Sequence, residues 1–126
     1  GQIFDAYTFT SNIIKKAKKE IILIDNYIDE STLTHLAKKA EKVNVVLYTK
    51  TLSKQLKLDI DKANQQYNNT FELLELKTSH DRFLIIDRNA LYHLGASLKD
   101  LGKRWFAFSK MDSMVNEVLN KLNEKA

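Results

Sequence analysis

The sequence predicts an α/β domain in which helices flank a mixed sheet. In the first half of the chain, short all-apolar runs alternate with segments of helical periodicity, and in the second half four short apolar runs follow one another directly. Alternation is typical of right-handed parallel crossover units, whereas consecutive short strands favour antiparallel hairpins. The predicted order of elements is therefore αβαβαββββα.

Three helices and two strands are predicted in the first half. Apolar residues recur at helical spacing over about residues 5–19, a second helix opens at Asp29-Glu30-Ser31, and a third runs from Leu52 to Tyr67. The strands are Ile21–Ile24 and Val43–Tyr48. Their continuous apolar character predicts burial in one sheet that the helices cover.

The second half contains four short strands and a closing helix by the same criteria. The strands are predicted over 71–76, 82–86, 91–94 and 105–108. Apolar residues from Met111 to Leu122 then repeat with a helical period. We expect one domain over residues 1–126, and Gly1 in place of a methionine suggests a piece of a longer protein.

Composition excludes several classes of protein. The chain contains no cysteine, which rules out disulfides and thiolate metal sites, and its three histidines show no zinc spacing. No apolar run approaches the roughly 20 residues that a membrane-spanning helix needs. We therefore expect a cytoplasmic protein with no membrane span, no cofactor and no metal.

Positive charge is concentrated in one part of the chain. The formal net charge is +4, and the segment from Lys77 to Arg104 holds six basic residues against three acidic ones. Such a distribution favours an anionic partner. Gly95 and Gly102, the only glycines after Gly1, flank residues 97–100 in this segment. These glycines indicate either that the backbone here has unusual torsion angles or packs closely against another group, or simply two ordinary turns.

The residue types that carry chemistry begin at His80. On a strand His80 and Arg82, two positions apart, would project from the same face. A guanidinium can hold phosphate oxygens in a bidentate manner, and an imidazole can bind phosphate or attack it as a nucleophile. Asp87 lies an odd number of residues from His80, so we expect it to cap the turn at 87–89.

Further polar residues follow the first two predicted strands. Asp25, Asn26 and Tyr27 come after the first, and Thr49-Lys50 after the second. Ligands of open α/β sheets bind beyond the carboxyl ends of strands. The alternative, which we favour, is that Asp29 and Thr51 cap helices and the others are solvated.

Lone histidines and aromatic residues are given structural roles. We expect His35 and His93 to be ordinary packed or surface histidines. Trp105 and Phe106 could stack on nucleic-acid bases beside their basic neighbours, but we expect at least one of them to belong to the core.

His80-x-Arg82-x4-Asp87 resembles the His-x-Lys-x4-Asp motif of the phospholipase D superfamily. The family follows it with a hairpin and a Gly-Ser-x-Asn segment, to which residues 95–98 correspond here. The resemblance covers most of the chain and is sharpest from His80 to Gly102. More narrowly, His80-Asp81-Arg82 resembles compact phospholipase D-like domains of bacterial mobile-element and phage-derived proteins, which carry His-Asp-Arg in place of His-x-Lys and follow KilA-N or ORF6N DNA-binding modules. We therefore expect such a module to be missing from this chain.

The resemblance implies roles for individual residues. His80 would form a phosphohistidine intermediate, Arg82 would hold phosphate and Asp87 would be the motif aspartate, which makes these three the candidate catalytic residues. Candidate phosphate-binding residues are Arg82, Ser97, Lys99, Lys103 and Arg104. The sequence departs from the family in three respects: arginine replaces lysine, Leu98 stands at the asparagine position, and only one motif is present.

We therefore expect a phospholipase D-like module that binds a phosphodiester, most plausibly in nucleic acid, with weak or no catalytic activity. A first alternative is an active phosphodiesterase or nuclease, which would have to be a homodimer because the family's site needs two motifs. A second alternative is an interaction domain that retains only the fold.

Overall fold

The computed structural model describes residues 2–78, 81–103 and 106–125. Its helices are α1 (Gln2–Lys16), α2 (Glu30–Leu36), α3 (Lys54–Gln66) and α4 (Val115–Lys125). Its strands are β1 (Glu20–Ile24), β2 (Asn44–Thr49), β3 (Phe71–Glu75), β4 (Phe83–Ile86), β5 (Ala90–Leu94) and β6 (Phe108–Lys110). Short 3-10 turns cover Leu98–Asp100 and Asp112–Met114. The predicted order of helices and strands is confirmed. No helix in these ranges has the length and apolar character to cross a membrane.

Within the described ranges the strands form one six-stranded mixed sheet, in the order β3-β2-β1-β4-β5-β6. Strands β1, β2 and β3 are parallel, and β4, β5 and β6 join antiparallel on the other side of β1. The crossover half of the sequence thus forms the parallel part of the sheet, and the hairpin half forms the antiparallel part.

Both faces of the sheet are covered by helices. Ile21 and Leu23 of β1 belong to the core that packs against α1, α2 and α3, whereas Ile22 and Ile24 belong to a second core formed with α4. Side chains alternate between the faces of a strand, so a strand covered on both sides must be apolar at every position. This confirms the predicted buried strands.

Helix caps agree with the sequence in one case and correct it in the other. The Asp29 side chain accepts hydrogen bonds from the N–H groups of Ser31 and Thr32, which confirms it as the cap of α2. The prediction that Thr51 caps the third helix was wrong: Ser53 does so, accepting from the N–H of Leu56 at 3.1 Å. A cap must stand directly before the first helical turn, which begins at Lys54.

Two predicted strands have different boundaries. Arg82 lies outside β4, although its carbonyl accepts a hydrogen bond from the N–H of Leu94 at 3.0 Å. Of the predicted strand 105–108, Phe106 is instead a buried core residue, and pairing with β5 starts at Phe108, opposite Leu94. Phe106 thus packs in the core rather than pairing in β6, which is why the predicted strand began too early.

Both glycines of the second half have a conformational reason. The backbone of Gly102 has a φ of +84°, which side chains other than hydrogen rarely allow. A Cβ at Gly95 would lie 3.2 Å from both the Cβ and the carbonyl oxygen of Ala107, whose oxygen accepts from the Gly95 N–H. Residues 97–100 thus lie between Gly95, which packs closely against Ala107, and Gly102, which has a left-handed backbone conformation.

Candidate phosphate-binding site

Chain direction brings four segments to one edge of the sheet. Ile24, the last residue of β1, pairs with Phe83, the first of β4, and Phe83 pairs with His93 near the end of β5. Because β4 runs antiparallel to both neighbours, the residues after β1, before β4 and after β5 meet at this edge. The residues after the parallel neighbour β2 lie there as well.

Asp25 is the buried centre of this edge. It follows β1 directly and is 1% exposed. Its Oδ1 accepts from the N–H of Tyr27 at 2.9 Å, and its Oδ2 accepts from the Ser97 hydroxyl at 2.7 Å and from the N–H of Leu98 at 3.2 Å. A carboxylate removed from water needs such donors. The prediction that Asp25 is solvated was therefore wrong.

Arg82 stands between this buried carboxylate and solvent. Its Nε lies 3.8 Å from Oδ1 of Asp25, and its side chain is 32% exposed. Its guanidinium carbon lies 5.9 Å from the centre of the Tyr27 ring. The edge of the guanidinium that carries Nε thus faces a fixed negative charge, and the partly exposed side chain can present its other N–H groups to an anion from outside.

Ser97, a predicted phosphate-binding residue, is buried and held by two contacts near the end of β1. The residue is 2% exposed, and its hydroxyl oxygen lies 2.7 Å from Asp25 Oδ2 and 3.1 Å from the carbonyl oxygen of Tyr27. A hydroxyl has one proton to donate. The shorter contact assigns that proton to the carboxylate, so Ser97 ties the turn after β5 to the end of β1.

A polar cavity of about 420 Å³ opens in front of Arg82. Its lining residues are Asn26, Tyr27, Lys50, Thr51, Asp81 and Arg82. The Asn26 side-chain oxygen accepts from the N–H of Lys50 at 3.0 Å, which fixes the end of β2 beside the end of β1. The lining carries two cations, one carboxylate (Asp81) and several hydrogen-bonding groups, so it is polar with a net positive charge and suits a small anionic group better than an apolar ligand.

Lys99 adds a further positive charge beside Tyr27. Its ammonium lies 5.5 Å from the centre of the Tyr27 ring, within the range of a cation–π contact. Burial raises the pKa of Asp29, but hydrogen bonds from Ser31 and Thr32 and the positive charge of Lys99 outweigh it and hold the pKa below its ordinary value. Lys99 therefore lies close enough to the start of α2 to act on it electrostatically.

Asp87 lies at the opposite edge of the sheet from Arg82. It follows β4, and its carboxylate accepts from the backbone N–H groups of Lys18, Lys19 and Glu20 at 2.8 to 3.3 Å. Burial raises the pKa of Asp87, but these hydrogen bonds, with that from Glu20 the largest, hold it below the ordinary value. The motif aspartate thus fastens the segment between α1 and β1.

Asp87 also shapes its own hairpin. Both Asp87 and Arg88 have positive φ angles, of 53° and 60°, and the N–H of Asn89 bonds to the carbonyl of Ile86. Two successive left-handed residues are the geometry of a tight hairpin turn. The predicted turn at 87–89 is confirmed, but the structure does not show Asp87 as its side-chain cap: the carboxylate instead accepts from N–H groups 67 to 69 residues away in the sequence.

Several predicted site residues lie outside the described residues, namely His80, Arg104 and Trp105. Lys103 is described and exposed. The ring of His93 packs edge-on against Phe83 and its Nε2 lies 3.4 Å from Asp81, as expected for a surface histidine. Among the described residues, no three histidine, aspartate or glutamate side chains are grouped to hold a metal.

Sequence reasoning underestimated the residues that follow the strands. Asp25 and Tyr27 were noted there but assigned to solvent, and Lys50 was not placed with Arg82. The available signal was an aspartate directly after an all-apolar strand, since a buried strand of an open α/β sheet leads straight to the ligand-binding edge.

Comparison with known proteins identifies the fold through structure alone. No protein-family model matches the chain, and no curated protein matches it in sequence. NucT from Helicobacter pylori is similar over 98% of this chain and 89% of its own, with a TM-score of 0.70 and 13% identity.

A second similar structure is TrmBL2, an archaeal chromatin protein whose structure is described as showing a novel mode of DNA binding. The TM-score is 0.60 at 19% identity, over 98% of this chain. The chain spans about half the length of TrmBL2, 48% of it. The chain therefore shares a fold with both proteins.

Proposed function

We propose that this chain is a phospholipase D-like module that binds phosphodiester groups of nucleic acid and has weak or no catalytic activity. The observation that carries the proposal is Arg82, whose guanidinium faces the buried carboxylate of Asp25 and borders a polar cavity shared with Lys50. Because the contact with Asp25 already restricts the Arg82 side chain, it loses less conformational entropy on binding phosphate than a freely rotating side chain would.

The comparisons support this proposal at the level of fold. The likeness to NucT fits the phospholipase D-like fold that the motif predicts, and TrmBL2 is described as binding DNA. The basic segment from Lys77 to Arg104 also supports a polyanionic partner, because phosphate contacts supply most of the affinity in non-specific nucleic-acid binding.

The departures from the motif favour binding over turnover. Leu98 stands where the family has asparagine, and it is fully buried, so that position offers no polar group to a phosphate. Ser97 donates to Asp25, and Asp87 is engaged by backbone N–H groups at the other edge of the sheet. His80 stays the proposed nucleophile of any residual activity, as the motif predicts.

The test is fluorescence anisotropy with labelled DNA at several salt concentrations. Arg82→Gln should weaken binding by about 10- to 150-fold, because one charged contact to phosphate contributes roughly 1.5–3 kcal/mol. Arg88→Gln is the matched control: Arg88 lies in the turn that follows β4, at the opposite edge of the sheet, where it pairs with Glu20 at 3.0 Å. It should bind as the unmodified chain does.

Cleavage of the same labelled DNA separates binding from catalysis. His80→Ala should leave affinity nearly unchanged in a binding module, whereas it abolishes turnover in an enzyme that needs a covalent nucleophile. Robust cleavage that His80→Ala removes would favour the homodimeric phosphodiesterase. No DNA binding at about 50 mM salt, where phosphate contacts are strongest, would leave the interaction domain as the better explanation.

A further inference from the structure

Tyr27 is unusual among the large side chains of the described residues because it stands in solvent beside the cavity. It is 58% exposed, more than Tyr7, Phe9 or Leu58, the other exposed large apolar residues. An exposed aromatic ring by itself is ordinary on a protein surface. The groups around the Tyr27 ring, however, set it apart.

The backbone of Tyr27 is fixed although its ring is exposed. Its N–H donates to Asp25 at 2.9 Å, and its carbonyl oxygen lies 3.1 Å from the hydroxyl of Ser97. Both partners are buried. The ring therefore projects from a rigid base over the cavity that Arg82 lines, and a ligand that contacts it encounters a prepared surface.

Two cations accompany the ring. The guanidinium carbon of Arg82 lies 5.9 Å from the ring centre and the ammonium of Lys99 lies 5.5 Å from it, and Lys50 lines the same cavity. Cations suited to phosphate and a largely exposed aromatic ring thus adjoin. In a nucleotide the base is one sugar away from its phosphate, so both parts of one nucleotide can be contacted here at once.

From this arrangement we infer that Tyr27 is a stacking platform for an unpaired base, and that the module selects single-stranded over double-stranded DNA. This inference rests on the proposed function. In a duplex each base is already stacked and paired, so no base is free to stack on the Tyr27 ring. In a single strand a base can turn onto the ring while Arg82 and Lys99 bind the adjacent phosphates, and the contact is tolerant of sequence.

Anisotropy titrations with a fluorescein-labelled 20-mer, single-stranded or annealed to its complement, test the inference. Tyr27→Leu should weaken single-strand binding by roughly 5- to 150-fold, the effect of losing one base stack, and should leave duplex binding within about twofold. Tyr27→Phe retains the ring and should bind like the unmodified chain. Phe9→Leu removes an exposed aromatic ring that packs on Phe108 and serves as the control.

A second readout reports on the base itself. The fluorescence of 2-aminopurine placed in the single strand should be quenched on binding to the unmodified chain and to Tyr27→Phe, but not to Tyr27→Leu. Thermal unfolding of each variant checks that the fold is intact, which we expect because Tyr27 is 58% exposed and its hydrogen bonds are made by its backbone.

The outcomes distinguish this inference from the proposed function. If the unmodified chain binds neither DNA, both are overturned. If Arg82→Gln weakens binding but Tyr27→Leu does not, or weakens single and double strands equally, phosphate binding stands and base stacking is wrong.

Discussion

The hydroxyl of Ser97 donates to the carboxylate of Asp25 at 2.7 Å, although 72 residues separate the two in the chain. The contact joins the end of β1 to the turn after β5. Asp25 also faces Arg82, so one buried acid orders both a neighbouring turn and the cation proposed to bind phosphate.

Replacing Asp25 should strongly destabilise the fold. Asp25→Ala leaves the N–H groups of Tyr27 and Leu98 without their acceptor, and the cost should be about 3 kcal/mol in the free energy of unfolding. Asp59→Ala is the control: Asp59 is also buried, but it accepts from the flexible side chain of Gln55. Urea unfolding measures the free energy of unfolding of both variants. If Asp25→Ala and Asp59→Ala lose the same amount, the hydrogen bonds at Asp25 contribute no more than an ordinary buried carboxylate does.

Asp87 should stabilise the protein in a pH-dependent way. Because the folded state lowers the pKa of Asp87, its contribution is present above the unfolded value of about 4 and is lost as pH falls through the folded pKa. Asp87→Ala should cost about 1–2 kcal/mol at pH 7, by analogy with a lost helix cap.

The check on Asp87 is urea unfolding at pH 7 and pH 3. The gap between the unmodified chain and Asp87→Ala should narrow at the lower pH. Asp87→Asn keeps one acceptor but does not titrate, so its own stability should change less between the two pH values. A stability difference between the unmodified chain and Asp87→Ala that is the same at pH 7 and pH 3 would contradict a stabilising role for the ionised Asp87 carboxylate.

His35 should make the fold less stable in mild acid. Burial lowers its pKa most, the positive charges of Lys38 and Lys103 lower it further, and Asp29 opposes them. Its Nδ1 is buried and has no hydrogen-bond partner among the described residues. The unfolded chain therefore takes up a proton below about pH 6.5 before the folded chain does, and stability falls. Unfolding midpoints of His35→Leu should vary less between pH 8 and pH 5 than those of the unmodified chain; parallel curves would refute this.

Removing Lys103 and Arg104 together should weaken DNA binding for all sequences alike. Phosphate contacts release counterions, so the slope of log affinity against log salt should flatten by roughly one to two units. Titrations of two unrelated sequences at several salt concentrations measure the slope. Unchanged binding in the double variant would remove the basic segment from the interface.

The sequence alone determined the fold class and the order of elements. Continuous apolar strands between amphipathic helices imply a sheet covered on both faces, and the short consecutive strands of the second half imply antiparallel pairing. These are local patterns with periods of 2 and 3.6 residues, so they can be read without tertiary contacts. Strand 105–108 was misplaced because an apolar run can pack, as Phe106 does, without pairing.

The composition of the site was decided only by the tertiary structure. The motif drew attention to Arg82 and Asp87, but these residues flank β4, one before it and one after it, so the sheet topology leaves them at opposite edges. The same topology brings Asp25, Tyr27 and Ser97 together from segments about 70 residues apart. Whether a polar residue after a strand is solvated or buried depends on which distant segment covers it, and sequence periodicity carries no such information.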